Sequence, residues 1–483
     1  MQNQQKTIQH SSLFYFYFIF LGIAHLLPYH SIIVAYDYFE NTLGKRSKNF
    51  EFYFVTTFNL TTIPPFLVAF IYATKNTKQK AGKQNFFSNP LTRHTVRIVP
   101  SLIFYVLVVI SIPIITSKIH SERAFIILVI EIGFVGVATG IVEFGIYGLA
   151  SIANPKYIVA IVTGQGVSGV LLSIIRMITK ATGNTPINGV KSSGFLFFFS
   201  CGLIILLVLI GYLFLIRSKF MKFNIDRYTR NVLESKLLYI EPLENIMIGQ
   251  TSDNEKRNLL SINKSQGNYK NNIVIESGSG SGSGSESESG EVKEMKSEKV
   301  LLFQTKNQQS RLKSIWKIFI KLLKMEISIF LIFLISLAIF PSIAVRIPST
   351  NPKLNKSDWF PLILIFVFDL SDLIGRTLPK WFNNFISNNL LFWVIFSRSI
   401  FIVLYILMVK KIIFNEFITF ICIFLTSLTD GYCSCLVLMR APNLPSIKPE
   451  EKNIASLLMA LFLQLGLFSG SCLSWLLLPL IEK

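Results

Sequence analysis

Charge is what this chain has least of. Only 15% of its 483 residues are Asp, Glu, Lys or Arg, against roughly 25% in an ordinary soluble domain. A soluble fold of this length would bury a large core but would still need charged surface, and this composition cannot supply it. Cysteine is sparse as well: Cys201, Cys422, Cys433, Cys435 and Cys472 all fall inside apolar runs, which excludes a disulfide framework. Cys433 and Cys435 lack a zinc spacing and have no histidine nearby, so no metal centre is expected and small buried packing residues are the simpler account. H-E-x-x-H and nucleophile motifs are missing too. No enzymatic activity and no cofactor are therefore expected.

What the chain has is apolar length. Hydrophobic residues make up 51%, and mean hydropathy is +0.51. A bilayer core about 30 Å thick takes roughly 20 helical residues to cross. Eleven runs meet that length, at about 13–35, 51–73, 97–116, 123–148, 156–179, 194–216, 324–345, 359–379, 389–409, 412–438 and 453–479. The ninth and tenth are separated only by Lys410 and Lys411. The first is too long for a signal peptide, contains His25, Pro28 and His30, and lacks a small-residue cleavage site, so it reads as an uncleaved span. The expected fold is all-α and polytopic: a leader over 1–12, a six-helix bundle over 13–216, a loop over 217–323 and a five-helix bundle over 324–483. The loop is polar, with a Ser, Gly and Glu run from Ser277 to Ser289. Such a composition cannot offset chain entropy by burial, and the loop is expected to be largely disordered.

The net charge of +20 raises nucleic acid as a partner. Its distribution argues otherwise, because the basic residues sit between spans. Lys75, Lys78, Lys80, Lys83 and Arg93 occupy one stretch; Arg217, Lys219, Lys222, Arg227, Arg311, Lys313, Lys317 and Lys321 flank the long loop. The positive-inside bias keeps both stretches cytoplasmic, facing anionic lipid. With eleven spans, the N-terminus is then cytoplasmic and the C-terminus extracellular, the plasma membrane being the expected site. Lys45, Arg46 and Lys48 fall on the opposite side and moderate that bias. The Asn355-Lys356-Ser357 glycosylation sequon falls in an outer loop of this topology.

Charges inside spans are costly and so are functional candidates. Asp369, Asp372 and Arg376 share one helix face, with Gly375 allowing another backbone close. Asp372 and Arg376 are spaced to pair, which alone would be a packing device. One Arg does not neutralise two carboxylates, so either Asp369 meets water and substrate or it holds a proton. In Thr163-Gly-Gln-Gly-Val-Ser-Gly169, small residues recur every four positions at Ala160, Gly164 and Ser168, and again at Gly169 and Ser173, as helix packing in lipid requires. Gln165, between two glycines, serves either an interhelical hydrogen bond or recognition of a paired donor and acceptor such as a purine edge. Pro28 in the first span suits a helix bordering a cavity, and Tyr29 beside it could stack on a flat ligand. Glu131 and Glu143 in the fourth span are candidates for proton coupling, or neutral and hydrogen-bonded to neighbouring helices.

Together these elements resemble the equilibrative nucleoside transporter family. The resemblance rests on Leu21-Gly-Ile-Ala-His-Leu-Leu-Pro-Tyr29, Tyr147-Gly-Leu-Ala150, Gly164-Gln-Gly166, Asp372-Leu-Ile-Gly-Arg376, Asp430-Gly-Tyr432 and Leu461-Phe-Leu-Gln-Leu-Gly-Leu467, in that order. It implies a major-facilitator-like pair of bundles around a central site that moves nucleosides or nucleobases by alternating access. It also implies that Gln165 contacts the base, that Asp372 and Arg376 contact the ribose or order the site, and that Tyr29, Leu26, Ile33 and Leu467 line the pocket. The chain departs from the pattern at Tyr29, where tryptophan is usual, and at His30 and Asp369, where asparagine is common. Glu143 stands where glutamine is frequent. These departures bear on substrate range and keep proton coupling open. The competing expectations are a major-facilitator carrier of sugars or another polar solute and, from another class, an ion channel, for which no carbonyl-filter sequence or acidic ring is present.

Overall fold

A computed structural model describes residues 2–44, 49–74, 90–153, 156–182, 188–230, 289–383, 385–448 and 451–482. All eleven apolar runs are helical. The first bundle contains α1 (Gln2–Val34), a short α2 (Tyr36–Leu43), α3 (Phe50–Thr74), α4 (Pro90–Lys118), α5 (Ser121–Ala153), α6 (Lys156–Ala181) and α7 (Asn188–Arg217). The second contains α8 (Ser289–Ile339), α9 (Trp359–Thr377), α10 (Asn388–Ser397), α11 (Ile400–Val409), α12 (Glu416–Arg440) and α13 (Lys452–Glu482). Among the described residues, nine helical segments are long and apolar enough to cross a membrane. The nineteen residues of α9 fall outside that set because they hold three charges, Asp369, Asp372 and Arg376. Phe, Leu and Ile side chains are widely exposed around the outside, as at Leu107, Phe134, Phe214 and Leu476. That is the surface lipid solvates and water does not.

Three boundaries differ from expectation. α1 begins at Gln2, within the expected leader, and α8 begins at Ser289, within the expected loop. Ile318, Leu322, Met325 and Ile329 are buried at helical spacing, so the apolar stripe of α8 extends a few residues upstream of the unbroken apolar run, as far as Ile318. Residues 231–288, with most of the Ser277–Ser289 stretch, lie outside the described residues. The ninth run is two helices rather than one: α10 ends at Ser397 and α11 starts at Ile400.

Bundle packing follows the small residues. α1 lies on α6, α3 and α4 on α5, and α9 on α12. At the α1–α6 crossing, a Cβ on Gly164 would come within 3.1 Å of the Gly22 Cα and collide with the Ile19 carbonyl. At the α9–α12 crossing, Gly375 and Gly431 face each other, and a Cβ on Gly375 would lie 3.2 Å from the Gly431 Cα. In lipid, where no hydrophobic force drives helices together, such backbone approaches supply the van der Waals contact that holds them. The bundles meet along α6 against α9 and α3 against α13. Thr62 donates to Gln464 Oε1 at 3.1 Å, and Trp475 Nε1 donates to Thr56 at 3.0 Å, across the second seam.

Candidate functional site

Four helices bring the expected residues together. On α6, Gln165 is buried, and its amide Nε2 lies 2.9 Å from His25 Nδ1 of α1. Tyr147 of α5 donates to the other end of the amide, Oε1, at 3.5 Å. Glu143, one helical turn earlier on α5, places Oε2 3.9 Å from His25 Nε2. The next residue on α6, Gly166, touches α9: a Cβ there would sit 3.4 Å from Arg376 Cδ and 3.1 Å from Leu373 Cδ1. The glycines flanking Gln165 thus have different tasks. Gly164 admits α1, and Gly166 admits the base of the Arg376 side chain.

On α9, Arg376 Nε donates to Asp372 Oδ2 at 2.6 Å, as the spacing anticipates. Both side chains keep some exposure, 19% for Arg376 and 13% for Asp372, so the pair stays open to a ligand. One turn earlier, Asp369 faces α6. Ser173 donates to its Oδ2 at 3.0 Å, and a Cβ on Gly169 would fall 2.6 Å from its Cγ. The second small-residue stripe of α6 therefore seats a carboxylate of the opposite bundle. Tyr29 stacks obliquely among His30, Phe54 and Phe58, with ring centroids 4.7 Å apart for Phe58. Leu26 and Leu467 are half-buried and Ile33 is buried.

Glu131 stands apart from this cluster. It accepts from Ser111 of α4 at 2.9 Å, and twelve residues separate it from Glu143 on α5, about 18 Å along the helix. The neighbouring Ile130 and Phe134 are exposed on the lipid side. The structure gives Glu131 a partner in the α4–α5 seam and sets Glu143 beside His25, the partner of Gln165.

Two buried ion pairs escaped the sequence reading. Arg398, in the break between α10 and α11, reaches Asp430 of α12 at 2.9 Å and also donates to Ser336 Oγ, Thr426 O and Ile332 O. Ser336 hydrogen-bonds the same carboxylate. At 2% and 6% exposure this pair is sealed. A charge deep in each of two apolar runs was the available signal, but 32 residues separate them. The second group lies where α2 meets the ends of α6 and α7. Asp37 takes Arg176 at 2.8 Å and Lys180 at 2.9 Å, and Lys180 also donates to the Asp358 carbonyl at 2.9 Å, across to the second bundle. At the same end, Arg346 pairs with Glu51 at 2.7 Å. These contacts latch the bundles together there.

Burial pushes the Asp37 carboxyl up, but Arg176 and Lys180 outweigh it and hold the group below the ordinary carboxylate range. A depressed carboxylate contributes stability above its unfolded value and loses it as pH falls through the folded one. Asp37→Asn should therefore lower the melting temperature of detergent-solubilised protein at neutral pH. The difference from wild type should shrink as pH drops below the usual Asp range. A difference that is constant with pH would mean that the latch is not electrostatic.

The architecture is two bundles of helices with polar side chains converging between them. Its overall arrangement is similar to that of the xylose transporter XylE from E. coli in a partially occluded inward-open conformation, with a TM-score of 0.51 and 9% identity over 96% of this chain and 97% of the other. A family model described as nucleoside transporter matches residues 126–478, and the chain belongs to that family. Among curated relatives, rat equilibrative nucleoside transporter 2 is 24% identical over 95% of each chain. Adenosine transporter 1 of Crithidia fasciculata is 22% identical over 86% of this chain and 88% of its own. Equilibrative nucleotide transporter 1 of Arabidopsis thaliana is 21% identical over 95% of this chain and 85% of its own. The fold is major-facilitator-like, and the protein is a transporter and not an enzyme.

Proposed function

We propose that this protein carries purine nucleosides or nucleobases through the membrane by alternating-access facilitated diffusion. The observation behind this reading is that successive residues of α6 serve two chemically different polar groups, Gln165 presenting its amide toward α1 and α5 and Gly166 packing against Arg376 of α9. Gln165 offers an amide with donor and acceptor side by side, and Arg376, whose Cδ packs against the neighbouring Gly166, offers with Asp372 a guanidinium and a carboxylate. An amide matches the edge of a base, and a charged pair matches the vicinal hydroxyls of a ribose. Tyr29, Leu26, Ile33 and Leu467 supply aromatic and aliphatic surface for the flat faces. The names of the relatives support the same class of substrate. Asp369 is held by Ser173 at the seam, where relative movement of the bundles would make or break that contact.

In this reading the N-terminus and the basic stretches are cytoplasmic and the latched end faces outside, at the plasma membrane. Glu143 is the residue through which a proton would be coupled. Radiolabelled adenosine and inosine should accumulate in cells that lack their own carriers once this protein is at their surface. Saturable uptake that only equilibrates is expected of a passive carrier, and accumulation driven by an imposed pH gradient and abolished by Glu143→Gln of a coupled one. Background-level uptake of nucleosides and nucleobases despite confirmed surface expression defeats the proposal, and saturable xylose or glucose uptake in its place would favour a sugar carrier.

A further inference from the structure

His25 reaches Gln165 from α1, and its ring sets a hydrogen-bond direction. Its Nε2 is buried without a hydrogen-bond partner, and it faces the Glu143 carboxylate at 3.9 Å. The carboxylate oxygen that it faces is an acceptor, so the neutral ring keeps its proton on Nε2. Nδ1 is then an acceptor, and the Gln165 atom 2.9 Å away must be the amide nitrogen. At the opposite end of the amide, Tyr147 donates its hydroxyl to Oε1 in this orientation. An unrestrained glutamine can turn its amide over at little cost and present donor and acceptor in either order. This one is held from α1 and from α5. After both contacts, one amide hydrogen and one lone pair remain for a ligand, in a fixed order.

We propose that His25 is a specificity-determining positioning residue: by accepting from Gln165 it fixes the order in which the amide offers donor and acceptor, and so selects between purine bases of opposite edge pattern. The inference rests on Gln165 reading the base. Adenine sets an amine donor beside a ring acceptor, whereas hypoxanthine sets a carbonyl acceptor beside a ring N–H donor. A fixed amide matches one edge and leaves an unpaired polar group against the other, and such mismatches discriminate strongly.

The test is the ratio of inhibition constants for unlabelled adenosine and inosine against uptake of one labelled nucleoside. Wild type should separate the two by about tenfold or more. His25→Leu frees the amide and should bring the ratio close to one. His25→Asn restores an acceptor near the Nδ1 position and should recover most of the discrimination. His25→Ala serves the same purpose if His25→Leu does not reach the surface, since a methyl group cannot touch Gln165. A merely structural role would change surface abundance and leave the ratio alone. Equal inhibition constants in wild type, or an unchanged ratio in His25→Leu or His25→Ala, overturns the inference while nucleoside transport stands. Failure of wild type to carry any nucleoside overturns the functional reading beneath it instead.

Discussion

Arg398→Leu should remove most of the folded protein. The guanidinium is 2% exposed and serves Asp430, Ser336 and two backbone carbonyls, so the truncated site retains a buried carboxylate without its counter-charge. Breaking such a pair from one side costs about 3–5 kcal/mol, a large part of the roughly 5–15 kcal/mol that holds a protein folded. Removing both charges is a different matter. Arg398→Leu combined with Asp430→Leu leaves neither group stranded, and folding should recover substantially, since apolar replacement of a whole buried pair is often neutral. Size-exclusion profiles and melting temperatures in detergent measure both. A single variant as stable as wild type would show that the pair is not structural.

Arg376→Leu should have the opposite profile, with uptake lost and folded protein retained. Its pairing with Asp372 resembles the sealed pair in chemistry but not in access, at 19% and 13% exposure against 2% and 6%. Water can reach a carboxylate left behind there, so the stability penalty is smaller. The transport penalty is not, because a hydrogen bond to a charged group is worth about 1.5–3 kcal/mol, roughly tenfold to a hundredfold in affinity. Gln165→Ala should act in the same direction by deleting the amide. Surface labelling alongside initial uptake rates separates the outcomes. If surface protein falls in step with uptake for both variants, Gln165 and Arg376 are packing residues and the site lies elsewhere.

The two ion pairs show how far a linear reading reaches. Asp372 and Arg376 are four residues apart on one helix, so helical periodicity alone places them in contact, and the structure has them at 2.6 Å. Asp430 and Arg398 come from different helices, and no periodicity relates them. The same holds for Asp37, whose partners Arg176 and Lys180 arrive from 139 and 143 positions along the chain. His25 is the clearest case. In the sequence it is one histidine in an apolar span, and only the α1–α6 crossing turns it toward Gln165.

By itself the sequence determined the class of molecule: helical, membrane-spanning and made of two groups of spans, with Gln165, Asp372 and Arg376 singled out. Those properties follow from local rules, since apolar run length is dictated by bilayer thickness and face-sharing by the 3.6-residue turn. Tertiary structure alone decided which polar groups meet. It set Gly166, the neighbour of Gln165, against Arg376, gave His25 its orienting contact and sealed Arg398 onto Asp430. The physical reason is that helix–helix approach in lipid is governed by small residues meeting across a crossing, and the pairing of Gly22 with Gly164 or Gly375 with Gly431 is a property of two helices at once.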